Sequence, residues 1–282
     1  MSNTILYEGD CLTEMDKIAN DSVDLILCDL PYGTTDRYGQ KKKGENRLLK
    51  WDCVIPLDKL WVHYERILNK NHGAVVLTAD QPFTSLLVLS NIEWFKYEWI
   101  WKKKMTTGFL LANYRPMKQT EDVLVFSPLG ASAASAKSNN CMRYNPQGLI
   151  PKEVKKKNNP DRLGIFLHNP EHMGKGNKML GETEYKQKFT GYPSEIIEFG
   201  LDKNAIHPTQ KPVSLMEYLI LTYTNEGDLV LDNCMGSGTT GLAALNTNRN
   251  FIGIEKDPNY FQDASKRIAQ HEKNRLDNNT KV

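Results

Sequence analysis

The sequence has few of the features that mark secreted, membrane-bound or disulfide-stabilised proteins. Its five cysteines stand singly, without a Cys-x-x-Cys pair, which predicts reduced thiols in a cytoplasmic compartment and no structural zinc. No apolar run approaches the ~20 residues that span a bilayer, and the N-terminal MSNTILYEGD lacks the basic flank and long apolar stretch of a secretory signal. We therefore expect a soluble, cytoplasmic protein with no membrane partner.

The chain as a whole also lacks an excess of either charge. Its 36 Lys and Arg against 34 Asp and Glu give a formal net charge of +2 over 282 residues. Taken alone, this balance argues against a polyanionic partner. With 40% hydrophobic residues, the composition excludes a disordered chain and is that of a globular protein long enough to bury a core.

Seven short apolar runs, rich in β-branched residues, are typical of strands buried on both faces of a sheet. Amphipathic stretches that predict helices lie between several of them. The repetition of strand, helix and strand predicts an α/β fold with a doubly wound parallel sheet. The predicted strands span 4–8, 23–28, 74–78, 97–101, 122–126, 228–232 and 251–255, and the predicted helices span 57–70, 212–224, 238–247 and 258–273.

The α/β pattern breaks down between 127 and 206, where Gly, Asn, Pro, Ser and Lys are frequent and apolar periodicity is poor. So long a stretch exceeds an ordinary loop, which predicts a small inserted subdomain. The stretch 33–50 predicts a surface loop, and 274–282 predicts a polar tail.

A glycine-rich turn follows the predicted strand 228–232. The sequence DLVLDNCMGSGTTG places Asp232 at the strand end, then Gly236 and Gly238, then a helix start. Glu255 ends the next strand 17 residues beyond Gly238, a spacing typical of a carboxylate that binds both ribose hydroxyls of a cofactor. A plain tight turn is the alternative. The third glycine of a dinucleotide fingerprint is missing, which favours S-adenosylmethionine over NAD.

The predicted strand 23–28 runs directly into the tetrad Asp29-Leu30-Pro31-Tyr32. A carboxylate at the carboxyl end of a parallel strand points into the ligand crevice, and the tyrosine ring offers a flat face on which a base can stack. The alternative is a simple strand-to-loop turn, because Pro and Tyr are common in turns.

These motifs, together with the HPTQKP string at 207–212 and the GDCLTEM segment, resemble the amino-methylating DNA methyltransferases, specifically the β-ordered group of phages and restriction-modification systems. The resemblance covers 3–126 and 205–262. It leaves 127–206 unmatched, where that family keeps its variable target-recognition region. The resemblance implies a permuted, Rossmann-like methyltransferase fold with a seven-stranded, mostly parallel sheet and helices on both faces.

In that fold, 1–126 would form the catalytic half and 207–273 the cofactor-binding half of one methyltransferase domain. Two positions depart from the family pattern: Leu30 replaces the usual Pro and keeps the carbonyl, and Cys234 replaces the usual Phe and removes an aromatic wall. No metal is implied. The resemblance assigns catalysis to Asp29, Leu30, Pro31 and Tyr32, and binding of S-adenosylmethionine to Asp10, Cys11, Asp29, His207, Thr209, Lys211, Asp232, Cys234, Gly236, Gly238, Thr239, Thr240, Glu255 and Lys256.

The implied reaction is methylation of an exocyclic amino group, whose lone pair is delocalised into the ring. Hydrogen bonds from that group to the Asp29 carboxylate and the Leu30 carbonyl would localise the lone pair for direct in-line attack on the cofactor methyl. The base must first be flipped out of the duplex. Asp at the first tetrad position accompanies adenine more often in the family, so we predict adenine N6. Cytosine N4, a protein amide, and an inactive DNA-binding or cofactor-sensing protein are the alternatives.

The charge distribution fits double-stranded DNA as the partner. The stretch 102–118 carries five basic and no acidic side chains, and 34–50 carries six basic and two acidic, whereas 1–33 carries one basic and seven acidic. For a single run of lysines, a solvated surface is the alternative. The sequence leaves open whether the protein is a monomer or a homodimer. The predicted DNA contacts are Lys41, Lys42, Lys43, Lys102, Lys103, Arg115, Lys118, Lys155, Lys156 and Lys157.

Overall fold

A computed structural model describes residues 3–33, 53–157, 184–202 and 210–279. All seven predicted strands are present within these ranges. The strands are β1 Thr4–Glu8, β2 Leu25–Asp29, β3 Ala74–Ala79, β4 Phe95–Thr107, β5 Lys118–Phe126, β6 Ile150–Lys157, β7 Glu184–Thr190, β8 Ile196–Phe199, β9 Leu229–Asp232 and β10 Asn250–Glu255. The α-helices are α1 Cys11–Glu14, α2 Leu57–Ile67, α3 Phe83–Ser90, α4 Ala133–Lys137, α5 Val213–Tyr223, α6 Thr239–Asn246 and α7 Pro258–Asn279.

The main sheet has the order β1-β10-β9-β2-β3-β5-β4-β8. All neighbouring pairs are parallel except those of β5, which is antiparallel to both β3 and β4. The C-terminal strands β9 and β10 lie between the N-terminal strands β1 and β2. This is the permuted, mostly parallel arrangement that the sequence predicts.

The sheet has eight strands rather than the predicted seven. The additional strand, β8, lies at one edge and pairs in parallel with β4, from Ile100 opposite Ile196 to Lys103 opposite Phe199. It was missed because a four-residue edge strand is solvated on one side and lacks the long apolar run of the central strands.

Helices cover both faces of this sheet, as predicted. Successive residues of β2 point to opposite faces, so Leu25 and Leu27 pack with α5, α6 and α7, whereas Ile26 and Cys28 pack with α2 and α3. Burial on both faces explains why the central strands have continuous apolar sequences. In the described part of the chain, no helix combines the length and apolar character needed to cross a bilayer.

The chain divides into two compact units, and the smaller one comprises Pro146–Pro193. In its described part, β6 and β7 form an antiparallel pair, from Ile150 opposite Thr190 to Lys157 opposite Glu184. This unit is narrower than the predicted insert 127–206. Residues 127–145, with α4, belong to the larger unit, where Asn145 N donates to Thr222 O at 2.7 Å.

Candidate active site

Four neighbouring parallel strands end in carboxylates at the same edge of the sheet. Asp10 follows β1, Glu255 ends β10, Asp232 ends β9 and Asp29 ends β2. Ligands of open α/β sheets bind outside the carboxyl ends of the strands. The sequence predicted all four as site residues, and the sheet order brings them to one edge.

The glycine-rich turn between β9 and α6 is fixed by Glu255. Glu255 Oε2 accepts a hydrogen bond from Gly236 N at 2.8 Å, and its Oε1 accepts one from Asp257 N at 2.8 Å. Gly236 and Gly238 have φ angles of +49° and +75°, a conformation that favours glycine. A Cβ at Gly238 would come within 3.1 Å of Ile268 Cδ1 and 3.2 Å of Ala264 Cβ, so a side chain there would also crowd α7.

Asp232 lies beneath this turn rather than on its surface. Only 4% of the residue is exposed, and its Oδ1 accepts a hydrogen bond from Cys234 N at 3.1 Å. Burial raises the pKa of Asp232 to about 6, although hydrogen bonds from Thr240 and Cys234 act in the opposite direction. Thr239 and Thr240, in the first turn of α6, are buried as well. These three side chains shape the turn from below.

Asp10 and Lys256 lie at the outer end of the same edge. Asp10 Oδ1 caps α1 by accepting a hydrogen bond from Leu12 N at 3.0 Å, and its Oδ2 lies 2.9 Å from Lys256 Nζ. The hydrogen bond from Lys256 lowers the pKa of Asp10. Cys11 is buried behind Asp10, and Cys234 packs against the same core cluster. Cys11 is thus withdrawn from the edge, whereas Cys234 is half-buried.

The tetrad side chains are interlocked. Asp29 Oδ1 accepts hydrogen bonds from the Tyr32 hydroxyl at 2.6 Å and from Thr78 Oγ1. Burial, with the nearby Asp29 charge, raises the pKa of Tyr32, so its phenol stays a neutral donor. The Tyr32 ring stacks on Phe83, with centroids 5.4 Å apart and planes at 22°. Leu30 is buried and Pro31 half-buried beside them.

A buried chain of alternating charges extends from the tetrad. Lys211, 7% exposed, places Nζ 2.9 Å from Asp29 Oδ2 and 3.1 Å from Glu121 Oε2. Lys103 pairs with the other oxygen of Glu121. Burial alone lowers the pKa of Lys211, but the two carboxylates outweigh it and raise the pKa to about 12. For Glu121, burial raises the pKa, but the positive charges of Lys211 and Lys103 together outweigh burial, so the pKa is lowered. Lys211 and Glu121 are therefore both ionised at neutral pH.

Comparison with known proteins decides the family. The profile described as DNA methylase, for N6 and N4 enzymes, matches residues 23–266. The chain belongs to this DNA methylase family. The predicted resemblance is therefore confirmed.

The methylase is similar along its length to curated relatives. It is 28% identical over 276 residues to the DNA adenine methyltransferase YhdJ of Escherichia coli (strain K12), covering 96% of this chain and 84% of the relative. It is 27% identical over 281 residues to the Type II methyltransferase M2.DpnII of Streptococcus pneumoniae, covering 96% and 91%.

Solved structures agree on the fold of the methylase. The M1.HpyAVI–SAM complex has a TM-score of 0.55 and 25% identity, covering 94% of this chain and 99% of that one. The cytosine-N4-specific PvuII DNA methyltransferase has a TM-score of 0.61 and 17% identity, covering 96% and 92%. At that identity the second likeness shows the fold alone.

The methylase site contains three side chains that sequence reasoning missed: Thr78, Phe83 and Glu121. Thr78 and Glu121 belong to no motif and come near the tetrad only through the sheet order β2-β3-β5, whereas Phe83 lies in the QPFTS segment at 81–85, at the start of α3, and was given no role in the site. For Glu121 one signal was present. Glu121 and Asp122 directly precede the apolar run of β5, and because β5 is antiparallel to β3, that end of the run lies at the edge where the parallel strands end.

The residues predicted to contact DNA differ in their surroundings: some are paired with carboxylates, some are exposed, and some lie outside the described residues. Lys102 pairs with Glu198 at 3.0 Å with both side chains about half exposed, Lys118 pairs with Asp80, and Lys103 is held by Glu121. Arg115 and Lys155 are exposed. The backbone of Lys156 and Lys157 lies in β6, but their side chains are outside the described atoms. Lys41, Lys42, Lys43, His207 and Thr209 lie outside the described residues.

Replacing Asp232 with asparagine is expected to change how the stability of the methylase depends on pH. The pKa of Asp232 is raised from 3.8 to about 6, so the folded state binds its proton more tightly than the unfolded state. The protonated carboxyl therefore contributes roughly 2 to 3 kcal/mol to the free energy of unfolding below about pH 4, and this contribution is lost as the pH rises through about 6. Asparagine keeps the acceptor for Cys234 N but does not titrate.

Urea unfolding of both proteins between about pH 4 and about pH 7 measures this difference. The variant should gain stability relative to the wild type as the pH rises. Asp58→Asn, at an exposed position of α2, is the control and should track the wild type. A difference between Asp232→Asn and wild type that stays constant across this range would contradict the role of burial.

Proposed function

We propose that the protein is a site-specific methyltransferase that transfers a methyl group from S-adenosylmethionine to the N6 amino group of adenine in duplex DNA. The arrangement of Asp29 carries the proposal. Its carboxylate ends a central parallel strand and is held by Tyr32 and Thr78 on one oxygen and by Lys211 on the other. A fixed anionic acceptor at this edge is the group that amino methylation requires.

Asp29 acts as the hydrogen-bond acceptor for the target amino group. An amino hydrogen donated to Asp29, and another donated to the Leu30 carbonyl, localise the nitrogen lone pair and stabilise the positive charge that develops on the nitrogen. Because Tyr32, Thr78 and Lys211 fix the carboxylate beforehand, little reorganisation is needed during the reaction. The Tyr32 ring, backed by Phe83, forms a wall against which an extruded base can stack.

The carboxylate-lined edge suits S-adenosylmethionine. When bound, that cofactor supplies an electrophilic methyl group on a sulfonium cation. The acceptors contributed by Glu255 and Asp10 match ribose and adenine donors, and the acidic character of the edge matches a cation that lacks phosphate. Gly236, which has no Cβ on the open side of the turn, lets the backbone approach the ligand.

Adenine is favoured over cytosine by the relatives rather than by the fold. YhdJ and the M2.DpnII-type enzymes match this chain along nearly its whole length, and YhdJ is named as an adenine methyltransferase. The fold is shared with an N4-specific enzyme, so it does not separate the two bases. Intact Asp29, Pro31 and Tyr32, together with the buried ion pairs of Lys211, argue against an inactive DNA-binding protein.

Duplex DNA is the proposed partner, and the unit Pro146–Pro193 within the predicted insert is the proposed target-recognition region. Relatives named as Type II methyltransferases favour a place in a restriction-modification system, and we propose that the reaction takes place in a bacterial cytoplasm. Arg115, Lys118 and Lys155 are the described side chains that we assign to phosphate contacts. For Lys103 we propose a positioning role instead.

Methylated nucleosides test the proposed function directly. Purified protein is incubated with duplex DNA and methyl-labelled S-adenosylmethionine, and the DNA is digested to nucleosides. We expect the label in N6-methyldeoxyadenosine. Label in N4-methyldeoxycytidine would contradict the choice of base, and unlabelled DNA would contradict the enzyme class. Sequencing of the modified sites then yields the recognition sequence.

A further inference from the structure

The connection between β4 and β5 displays apolar side chains to solvent. Every residue of 104–117 is exposed, and we call this segment the hairpin tip. Phe109, Leu110 and Tyr114 are 78%, 92% and 87% exposed. Soluble proteins rarely expose large contiguous apolar patches, and such a patch usually marks a site of interaction with another molecule.

The hairpin tip has a defined shape. Gly108, with φ +91°, introduces a 3-10 turn over Phe109–Leu111. Leu111 N donates to Gly108 O at 2.9 Å, and Arg115 N donates to Leu111 O at 3.0 Å. Phe109 and Leu110 are thus presented outward on an ordered turn, which lowers the entropy that is lost when they enter a partner.

The hairpin tip projects from the edge that carries Asp29. Val123 of β5 pairs with Thr78, the residue that donates to Asp29. From there β5 continues outward to the pair of Thr107 with Lys118, five residues farther on, or about 17 Å at the rise of a strand. The tip therefore lies beyond the catalytic edge, on the side from which a large substrate approaches.

The hairpin tip also has the charge that suits DNA. It carries two basic side chains, Lys104 and Arg115, and no acidic one, while the three other lysines of the stretch 102–118 are paired with carboxylates. A duplex presents phosphates on its outside and stacked, apolar base faces within. A surface that is both basic and apolar is complementary to both parts.

We infer that the hairpin tip enters the DNA duplex, and that Phe109 and Leu110 fill the gap in the base stack when the target base is extruded. This inference rests on the proposed function. Extrusion breaks stacking and pairing around the target, and apolar side chains inserted between base steps replace part of the lost contact. The extruded base then remains available to Asp29.

The double variant Phe109→Ala, Leu110→Ala tests the inference on two duplexes. One is fully paired, and the other has an abasic site opposite the target base, so that extrusion costs less. Single-turnover rates at saturating S-adenosylmethionine are compared with those of the wild type. We expect a loss of about tenfold or more on the paired duplex and less than about threefold on the abasic duplex. Val62→Ala, Leu89→Ala, which truncates exposed apolar side chains of α2 and α3, is the matched control.

The two rates distinguish the possible failures. An equal loss on both duplexes, or none on the paired duplex, overturns the inference and leaves the proposed function intact. A wild type that methylates neither duplex removes the proposed function itself. Thermal melting and S-adenosylmethionine binding of the variant should match the wild type, because the tip is exposed. A variant that changes oligomeric state in sedimentation but keeps its rate on paired DNA would assign the tip to contacts between copies of the chain.

Discussion

Substitution of Asp29 by alanine is expected to lower the rate of methyl transfer by about 10³-fold or more, the largest effect of any single change in the site. Of the two groups proposed to accept hydrogen bonds from the target amino group, the variant loses the one that carries a negative charge. DNA binding should stay mostly intact because the carboxylate is partly buried and paired with Lys211 rather than directed at phosphates. Single-turnover methylation and a DNA-binding titration measure the two properties separately.

Two further variants make the Asp29 result specific. Asp29→Asn keeps the size and one oxygen acceptor but removes the charge, so its rate should lie between those of the wild type and the alanine variant. Asp58→Ala, at an exposed position of α2, controls for the loss of a carboxylate anywhere in the protein. If Asp29→Ala turns over within about tenfold of the wild type, Asp29 has no place in the mechanism.

The features of the candidate site whose place in the fold the sequence predicted are local in the chain. Leu25 to Cys28 are apolar because β2 is buried on both faces, and that continuous run locates Asp29 at the strand end. The glycines at 236 and 238 are conspicuous because the turn requires positive φ angles there. Each of these features is encoded within about ten residues, which is the range over which propensity and periodicity act.

The parts that the sequence did not predict depend on which strands become neighbours. Glu121 is far in sequence from Asp29 and from Lys211, and no spacing rule relates them. They meet because β5 lies beside β3 and runs antiparallel, which brings the N-terminal part of β5 to the edge of the sheet that carries Asp29. The same topology turns Lys103 toward Glu121, although its lysine run was interpreted as a DNA-binding surface.

Removal of the Lys211 charge is expected to have the second largest effect on catalysis. Lys211→Met should lower the rate of methyl transfer by about 10²-fold, because Asp29 loses the cation that fixes Oδ2. The variant also leaves Glu121 facing Asp29 without its buried cation, which costs roughly 3 to 5 kcal/mol of stability. Rates are therefore measured below the melting temperature of the variant, and Lys211→Arg, which keeps the charge, should recover part of the activity.

We propose that Glu121 acts on Asp29 only through Lys211, and a double-mutant cycle tests that order. Glu121→Gln alone should slow methyl transfer by about tenfold, because Lys211 loses the partner 3.1 Å away that holds it against Asp29. Once Lys211 is methionine, the same change should add almost nothing. Glu98→Gln, an exposed position on β4, is the matched control and should leave the rate unchanged. Additive losses in the double variant would show that Glu121 affects the reaction by a route other than Lys211. Melting temperatures are measured as well, and equal values for Glu121→Gln and the wild type would exclude a loss of folding as the cause of either result.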